Sequence, residues 1–183
     1  MELVDITANK AEVKQLNSWL KRDFPLAERT PFGILKKLAR RGKVRFCLFK
    51  HEGKVAAYTV LHFFAGYTQV LYLAVMPEGR GRGMGSAALP LIKKAVGGTL
   101  ILEVEDVEEA TCKEDEKIRA RRIAFYNRLG FFMLENCRLL IPGGVLRPMA
   151  DGKVEGDLPR LWRDMYRELA GPIFGMFIRT DDK

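Results

Sequence analysis

The chain is poor in the residues that would tie it together covalently or through a metal. It has three cysteines, Cys47, Cys112 and Cys137, without C-x-x-C spacing, and only two histidines, His51 and His62, to join them. A disulfide framework and a structural zinc site are therefore not expected, and no metal site is assigned. No apolar run approaches the ~18–20 residues that a membrane-spanning helix needs. The first ten residues carry acids rather than a basic stretch leading into an apolar one, so no secretory leader is read there. These absences lead us to expect a soluble, cytoplasmic protein with no membrane partner. The 183 residues, 48% hydrophobic and 30% charged, suit one globular domain with a sizeable core and do not indicate disorder.

The formal net charge of +8 fits nucleic acid, an anionic surface or an anionic cofactor, and its distribution is more informative than its total. Residues 103–116 hold eight carboxylates against the single base Lys113, and residues 117–128 hold five bases and no acid. This is either an electronegative region beside an electropositive one, or a solvated loop followed by a solvated helix face. No aromatic-studded basic strand or basic recognition helix stands out apart from 117–128, so nucleic acid is not the expected partner.

The organising stretch is residues 70–88, VLYLAVMPEGRGRGMGSAA. A run rich in β-branched and aromatic residues meets Pro77, then glycines at 79, 81, 83 and 85, then helix-favouring residues, which reads as strand, turn and helix. A glycine-rich turn feeding a helix N-terminus offers unpaired N–H groups and the positive end of the macrodipole, and Arg80 and Arg82 add charge, so a phosphate is expected. A Walker loop is excluded because Ser86 follows Gly85 with no Lys between them. Gly83-x-Gly85-x-x-Ala88 fits a dinucleotide fingerprint, with Glu103 and Glu105 about twenty residues on. In that motif, however, the first glycine directly follows the strand, and here residues 76–82 intervene.

Along the chain, Asn9 with Glu12 reads as a capping box opening a helix over 10–22 that ends before Pro25. Thr30 followed by Pro31 reads as an N-cap and first helical position, with Phe32, Leu35, Leu38 and Ala39 as the apolar stripe and Gly42 as the stop. Strands are predicted over 44–50, 55–64 and 67–75, turning at Glu52-Gly53 and Ala65-Gly66, which makes an antiparallel meander. Only one strand-helix-strand crossover follows, against the repeated crossovers of a doubly wound nucleotide fold. Its helix, 84–96, carries Pro90, so a kink or shortening is expected. Residues 100–104 read as a strand, 106–117 as an exposed loop, and 118–129 as a helix closed by Gly130. Beyond it, 132–141 and 145–149 read as a hairpin across residues 142–144, and Asp157 with Pro159 opens a helix stopped by Gly171-Pro172, followed by an apolar stretch, 173–178.

Two motifs in order carry a resemblance. Arg80-x-x-Gly83-x-Gly85 resembles the acyl-CoA pyrophosphate loop of the GNAT acetyltransferase superfamily, and Phe125-Tyr126 followed by Gly130-Phe131 resembles the end of that family's later helix, with Leu102-Glu103-Val104 on the strand between. The resemblance spans about residues 44–150 of a single domain, 1–183, leaving 151–183 as an appendage for packing, dimerisation or substrate closure. It implies an α/β (α+β) fold: a mixed, mostly antiparallel central sheet flanked by helices, the acyl-CoA N-acyltransferase fold.

It also implies acetyl-CoA as co-substrate. The pantetheine arm would meet the backbone at Leu73, Ala74 and Val75, and the pyrophosphate would meet Gly81 to Ser86, so that Arg80, Gly81, Arg82, Gly83, Met84, Gly85, Ser86 and Phe125 are candidate cofactor contacts. Tyr126 matches the family's general acid, and Glu103 stands where some relatives place a base, with Glu105 or water as the other choice. The expected activity is acetyl transfer to a primary amine by direct attack in a ternary complex, and an acyl-CoA- or nucleotide-binding module without turnover is the alternative. Many relatives have an Asn a few residues after this strand, where this chain runs Asp106-Val107-Glu108-Glu109. Carboxylates near the acceptor mouth would favour a cationic acceptor such as a polyamine, an aminoglycoside or a lysine side chain, with a protein N-terminus as a further candidate.

Overall fold

A computed structural model describes residues 1–135, 137–141, 144–175 and 179–181. The chain divides into two compact units, Met1–Gly98 and Thr99–Lys183, so the appendage expected from residue 151 onward belongs to the second.

In the first unit, strands β1 (Glu2–Asp5), β2 (Val44–His51), β3 (Lys54–Phe64) and β4 (Tyr67–Val75) pair in that order, each antiparallel to the next. The meander is as the sequence predicts, with one strand added at its start. β1 is short and set among acids, and only its pairing with β2 makes it a strand. Both predicted turns have two residues of positive φ, 50° and 74° at Glu52-Gly53 and 50° and 84° at Ala65-Gly66, which matches the twist of the strands they join.

Helix α1 (Lys10–Asp23) opens at Asn9, whose side chain accepts from the N–H groups of Ala11 and Glu12 and donates to Glu12 at 2.7 Å. Helix α2 (Phe32–Arg40) starts one residue later than predicted. Pro31 is its N-cap, and the Thr30 N–H donates to the Tyr72 hydroxyl at 2.8 Å. Gly42 closes α2 at φ +71°, with its N–H on Ala39 O and that of Lys43 on Leu38 O, a Schellman cap. Helix α3 (Met84–Val96) runs through Pro90 without shortening, with Ala88, Leu89 and Ile92 buried and the helix packed on β1, β3 and β4.

In the second unit, β5 (Leu100–Glu105), β8 (Gly144–Ala150), β7 (Arg138–Ile141) and β9 (Arg179–Asp181) pair antiparallel in that order, and the two-residue β6 (Phe132–Met133) lies beside β8. The single strand expected over 132–141 is thus interrupted, with Leu134 and Cys137 buried in the gap. The turn residues Pro142 and Gly143 lie outside the described residues, as does part of the apolar stretch 173–178.

Helix α4 (Lys113–Asn127) begins five residues before the predicted start. Glu114, Asp115 and Glu116 fill its first turn, where the helix dipole favours acids, so a stretch that reads as a charged loop is in part a helix start. Its apolar spacing does not mark a core face either. No residue of α4 is fully buried, and Ile118 is 39% exposed.

Helix α5 (Leu158–Gly175) is capped by Asp157, whose carboxylate accepts from the Arg160 N–H at 2.9 Å. It continues past Gly171 and Pro172, where the sequence predicts a stop. A proline removes one backbone bond, a smaller effect than the burial of Trp162, Met165 and Leu169 that holds the preceding turns. The strands, antiparallel in both units and packed by helices, give the expected α+β class.

Candidate active site

The glycine loop leaves β4 at Val75, makes one turn over Pro77–Gly79 and enters α3 through Gly83. Gly81 and Gly83 have φ of +75° and +74°, conformations that L side chains rarely adopt. Gly83 is the N-cap of α3, and no side chain caps it. Ala87 is the first residue of the helix whose N–H reaches a backbone carbonyl, Gly83 O at 3.1 Å. The N–H groups of Met84, Gly85 and Ser86 are therefore the donors that a helix start leaves for a ligand. A Cβ at Gly81 or Gly83 would meet nothing within 4 Å, so these glycines are required by backbone conformation and not by crowding inside the protein.

The two loop arginines differ. Arg82 is exposed and has no ion pair among the described residues. Arg80 leans back: its Nε donates to Val75 O at 3.4 Å, and its guanidinium lies 3.7 Å from Asp23. Asp23, absent from the sequence-derived candidates, also pairs with Arg22 at 2.8 Å and accepts from the Tyr58 hydroxyl at 2.8 Å. The Arg22 guanidinium holds the Asp23 carboxyl below the usual range, with Tyr58 and Arg80 adding to the effect and burial opposing it.

On β4, Met76 N–H donates to Ala56 O, and Ala74 pairs with Tyr58 of β3. Backbone direction alternates along a strand, so the polar groups of Ala74 turn toward β3 while those of Leu73 and Val75 turn to the other edge. Of the three residues expected to meet the pantetheine arm, Leu73 and Val75 have the suitable backbone direction and Ala74 does not.

In the second unit, the motif Phe125-Tyr126…Gly130-Phe131 is a helix terminator. Gly130 has φ +85°, its N–H donates to Asn127 O at 3.1 Å, and the Phe131 N–H donates to Tyr126 O at 3.1 Å, which is a Schellman cap. The hydrophobic contact that accompanies such caps is Tyr126 on Phe131, with ring centroids 5.8 Å apart, and Phe125 meets Tyr126 edge-on at 5.1 Å. The Tyr126 ring is held between two aromatic neighbours, and its hydroxyl makes no hydrogen bond among the described residues. Burial pushes its phenol up from the ordinary value, against the opposing charge of Arg122. It is therefore protonated at neutral pH and able to donate.

Glu103 and Glu105 have different settings. Glu103 accepts from the indole N–H of Trp162 at 2.7 Å, and Glu105 is ion-paired with Arg122 of α4. Trp162 lies in the appendage, and no spacing in the sequence connects it with Glu103. The carboxylates after β5 are also largely paired. Asp106, 3% exposed, lies 2.8 Å from Arg138 and 3.8 Å from Arg147, and its carbonyl accepts from Arg119 at 2.6 Å. Glu108 and Glu109 also approach Arg138, and Asp115 pairs with Arg119. The electronegative region read from 103–116 is thus compensated by arginines from α4, β7 and β8, and the charge-based preference for a cationic acceptor loses most of its support.

Among the described residues no helix is long and apolar enough to cross a membrane. No curated protein sequence matches the chain. Solved structures do match. A GNAT-family protein from Bacteroides thetaiotaomicron has a TM-score of 0.74 at 20% identity, covering 96% of this chain and 99% of that one. An aminoglycoside 6'-N-acetyltransferase complexed with coenzyme A has a TM-score of 0.60 at 15% identity over 86% and 100%. The ribosomal-protein-S18-alanine N-acetyltransferase from Escherichia coli has a TM-score of 0.53 at 19% identity over 85% and 97%. These likenesses show a shared acyl-CoA N-acyltransferase fold. The sequence model of the acetyltransferase (GNAT) family matches residues 13–131, reaching back over α1 and α2 beyond the resemblance read from the motifs, and by that match the chain belongs to the acetyltransferase (GNAT) family.

Proposed function

We propose that the protein is an N-acetyltransferase that moves the acetyl group of acetyl-CoA to a primary amine, of a small molecule or a protein, by direct attack in a ternary complex. The observation that carries this reading is the loop from Gly81 to Ser86, where two left-handed glycines lead into a helix start that no side chain caps. Such a start is built for a phosphate, and a family relative in fold is complexed with coenzyme A.

Bound acetyl-CoA supplies the thioester. The N–H groups of Met84, Gly85 and Ser86 hold the pyrophosphate, Arg82 adds charge, and the outward backbone of Leu73 and Val75 holds the pantetheine amides. Phe125 packs against Tyr126 and keeps its ring in place. As the amine nitrogen bonds to the acetyl carbon and the carbon–sulfur bond breaks, Glu103 takes the amine proton through water and Tyr126 gives its proton to the sulfur. Trp162 fixes the Glu103 carboxylate by the 2.7 Å bond.

Two measurements test this reading. Acetyl-CoA should raise the melting temperature and NAD should not, because only a ligand of the native state stabilises it. Thiol release from acetyl-CoA should then depend on a primary amine. Stabilisation by acetyl-CoA without thiol release across an amine panel would make the protein an acyl-CoA-binding module, and stabilisation by NAD instead would restore the dinucleotide reading.

A further inference from the structure

The first unit contains a cavity of about 260 Å³ that the functions above leave unassigned, between the last turn of α1, residues 26–32 and β4. Its volume is just below the ~300–1,000 Å³ typical of small-molecule sites, so it suits a molecule of amino-acid size. Leu26, Pro31, Phe32 and Tyr72 give it apolar walls, and its charged lining residues are Lys21 and Arg29, with no carboxylate among them.

The walls are fixed. The Tyr72 hydroxyl accepts from the Thr30 N–H at 2.8 Å and donates to Glu28 O at 2.9 Å, anchoring the segment after α1 to β4, and Phe24 packs edge-on against the Tyr72 ring at 4.9 Å. The cations are uncommitted. Neither Lys21 nor Arg29 has an ion pair among the described residues, and Arg29 Nε is buried with no hydrogen-bond partner among them. A buried guanidinium nitrogen without an acceptor is costly, and a planar carboxylate matches its fork. Leu26, 78% exposed, is a large apolar side chain at the rim that a ligand would cover.

The cavity also adjoins the acyl-CoA stretch. Tyr72 directly precedes Leu73 on β4, and the end of α1 that brings Lys21 to the cavity places Asp23 3.7 Å from Arg80 of the glycine loop. We propose that this cavity takes the apolar body and carboxylate of the acceptor, so that the acceptor is a small amino carboxylate whose acid group is held by Arg29 and Lys21. This rests on the acetyltransferase reading for the word acceptor, and on the cavity alone for the carboxylate.

The test uses the full chain with coenzyme A present for melting, and acetyl-CoA for turnover. The probes are leucine and phenylalanine, their carboxamides, which keep body and amine but lose the acid, and spermidine. The two amino acids should raise the melting temperature more than the amides or spermidine, and should exceed the amides in kcat/KM by about tenfold or more, as expected for a charge-assisted hydrogen bond. Arg29→Met should bring the acids down to the level of the amides. Lys21→Met, on an exposed helix position, should reduce the preference in the same direction and covers the case in which Arg29→Met fails to fold. Amides or spermidine preferred by the wild type, or a preference for acids that survives both substitutions, would overturn the proposal and leave the acetyltransferase reading intact. Stabilisation by the acids that depends on Arg29, without acetylation of any amine, would support the carboxylate site and overturn the acetyltransferase reading. Neither stabilisation nor turnover with the acids would overturn the proposal.

Discussion

In the first unit the residues from Gly81 to Ser86 present backbone N–H groups at an uncapped helix start, whereas in the second unit the candidate side chains Glu103 and Glu105 take their settings from residues farther along the chain. The loop is specified locally. Two left-handed glycines and a helix start are encoded within a few residues, so spacing alone conveys them. The side-chain half is specified by packing, since Trp162 reaches Glu103 across 59 positions of sequence, and Arg138 reaches Asp106 across 32. Backbone sites can therefore be read from one stretch of sequence, and side-chain sites need the fold.

Removing a long-range partner should have the largest effect on stability. Arg138→Met leaves the buried Asp106 carboxylate with the Glu108 N–H at 3.1 Å and, for charge, Arg147 at 3.8 Å, and should destabilise the protein by on the order of 3 kcal/mol, read as a lower denaturant midpoint. Asp106→Asn in the same background should recover part of the loss. An unchanged midpoint would mean that the second unit does not depend on this cluster.

A local change should affect binding more than folding. Gly83→Val puts a β-branched residue at φ +74° and side-chain bulk at the phosphate side of the loop, so acetyl-CoA affinity should fall by about tenfold or more, with ~1–3 kcal/mol of backbone strain. Gly42→Val imposes similar strain at φ +71° away from the loop, and should leave acetyl-CoA affinity unchanged in titration calorimetry. Equal losses at both glycines would show that strain alone, and not the loop, accounts for the effect.

A smaller effect is expected at Asp23, whose carboxyl is held low by Arg22. A depressed folded value adds stability above the unfolded pKa, ~3.9, and that stability is lost as pH falls through the folded value. Asp23→Asn should thus cost about 1 kcal/mol at neutral pH, with the difference from wild type closing below about pH 4. A gap that persists into acid would indicate lost packing instead of lost charge. The smallest effect distinguishes the thiols. Burial pushes the Cys47 thiol up to about 12, so at pH 8 a thiol reagent should modify the exposed Cys112 and leave Cys47 unreacted until unfolding.

The meander, its two turns and the boundaries of α3 were legible because turn chemistry and helix capping are local. β1 was not legible, since four residues among acids become a strand only against β2. The early start of α4 was hidden because acids that read as a solvated loop are also what a helix N-terminus favours. The stop expected at Gly171-Pro172 failed because tertiary burial in α5 outweighs one lost backbone bond. Within the site, the glycine loop and the Phe125-Tyr126 motif were legible from spacing. The partners Asp23, Trp162 and Arg122 were not, because each reaches its target through the fold.

The proposed division of labour between a binding loop and a chemical tyrosine is tested most directly by single-turnover acetylation with Tyr126→Phe, at saturating acetyl-CoA and amine, alongside acetyl-CoA affinity by calorimetry. The substitution keeps the ring between Phe125 and Phe131 and removes only the hydroxyl. The account predicts a transfer rate lower by on the order of 10²-fold with affinity essentially unchanged. A wild-type transfer rate would contradict it and leave solvent as the source of the proton.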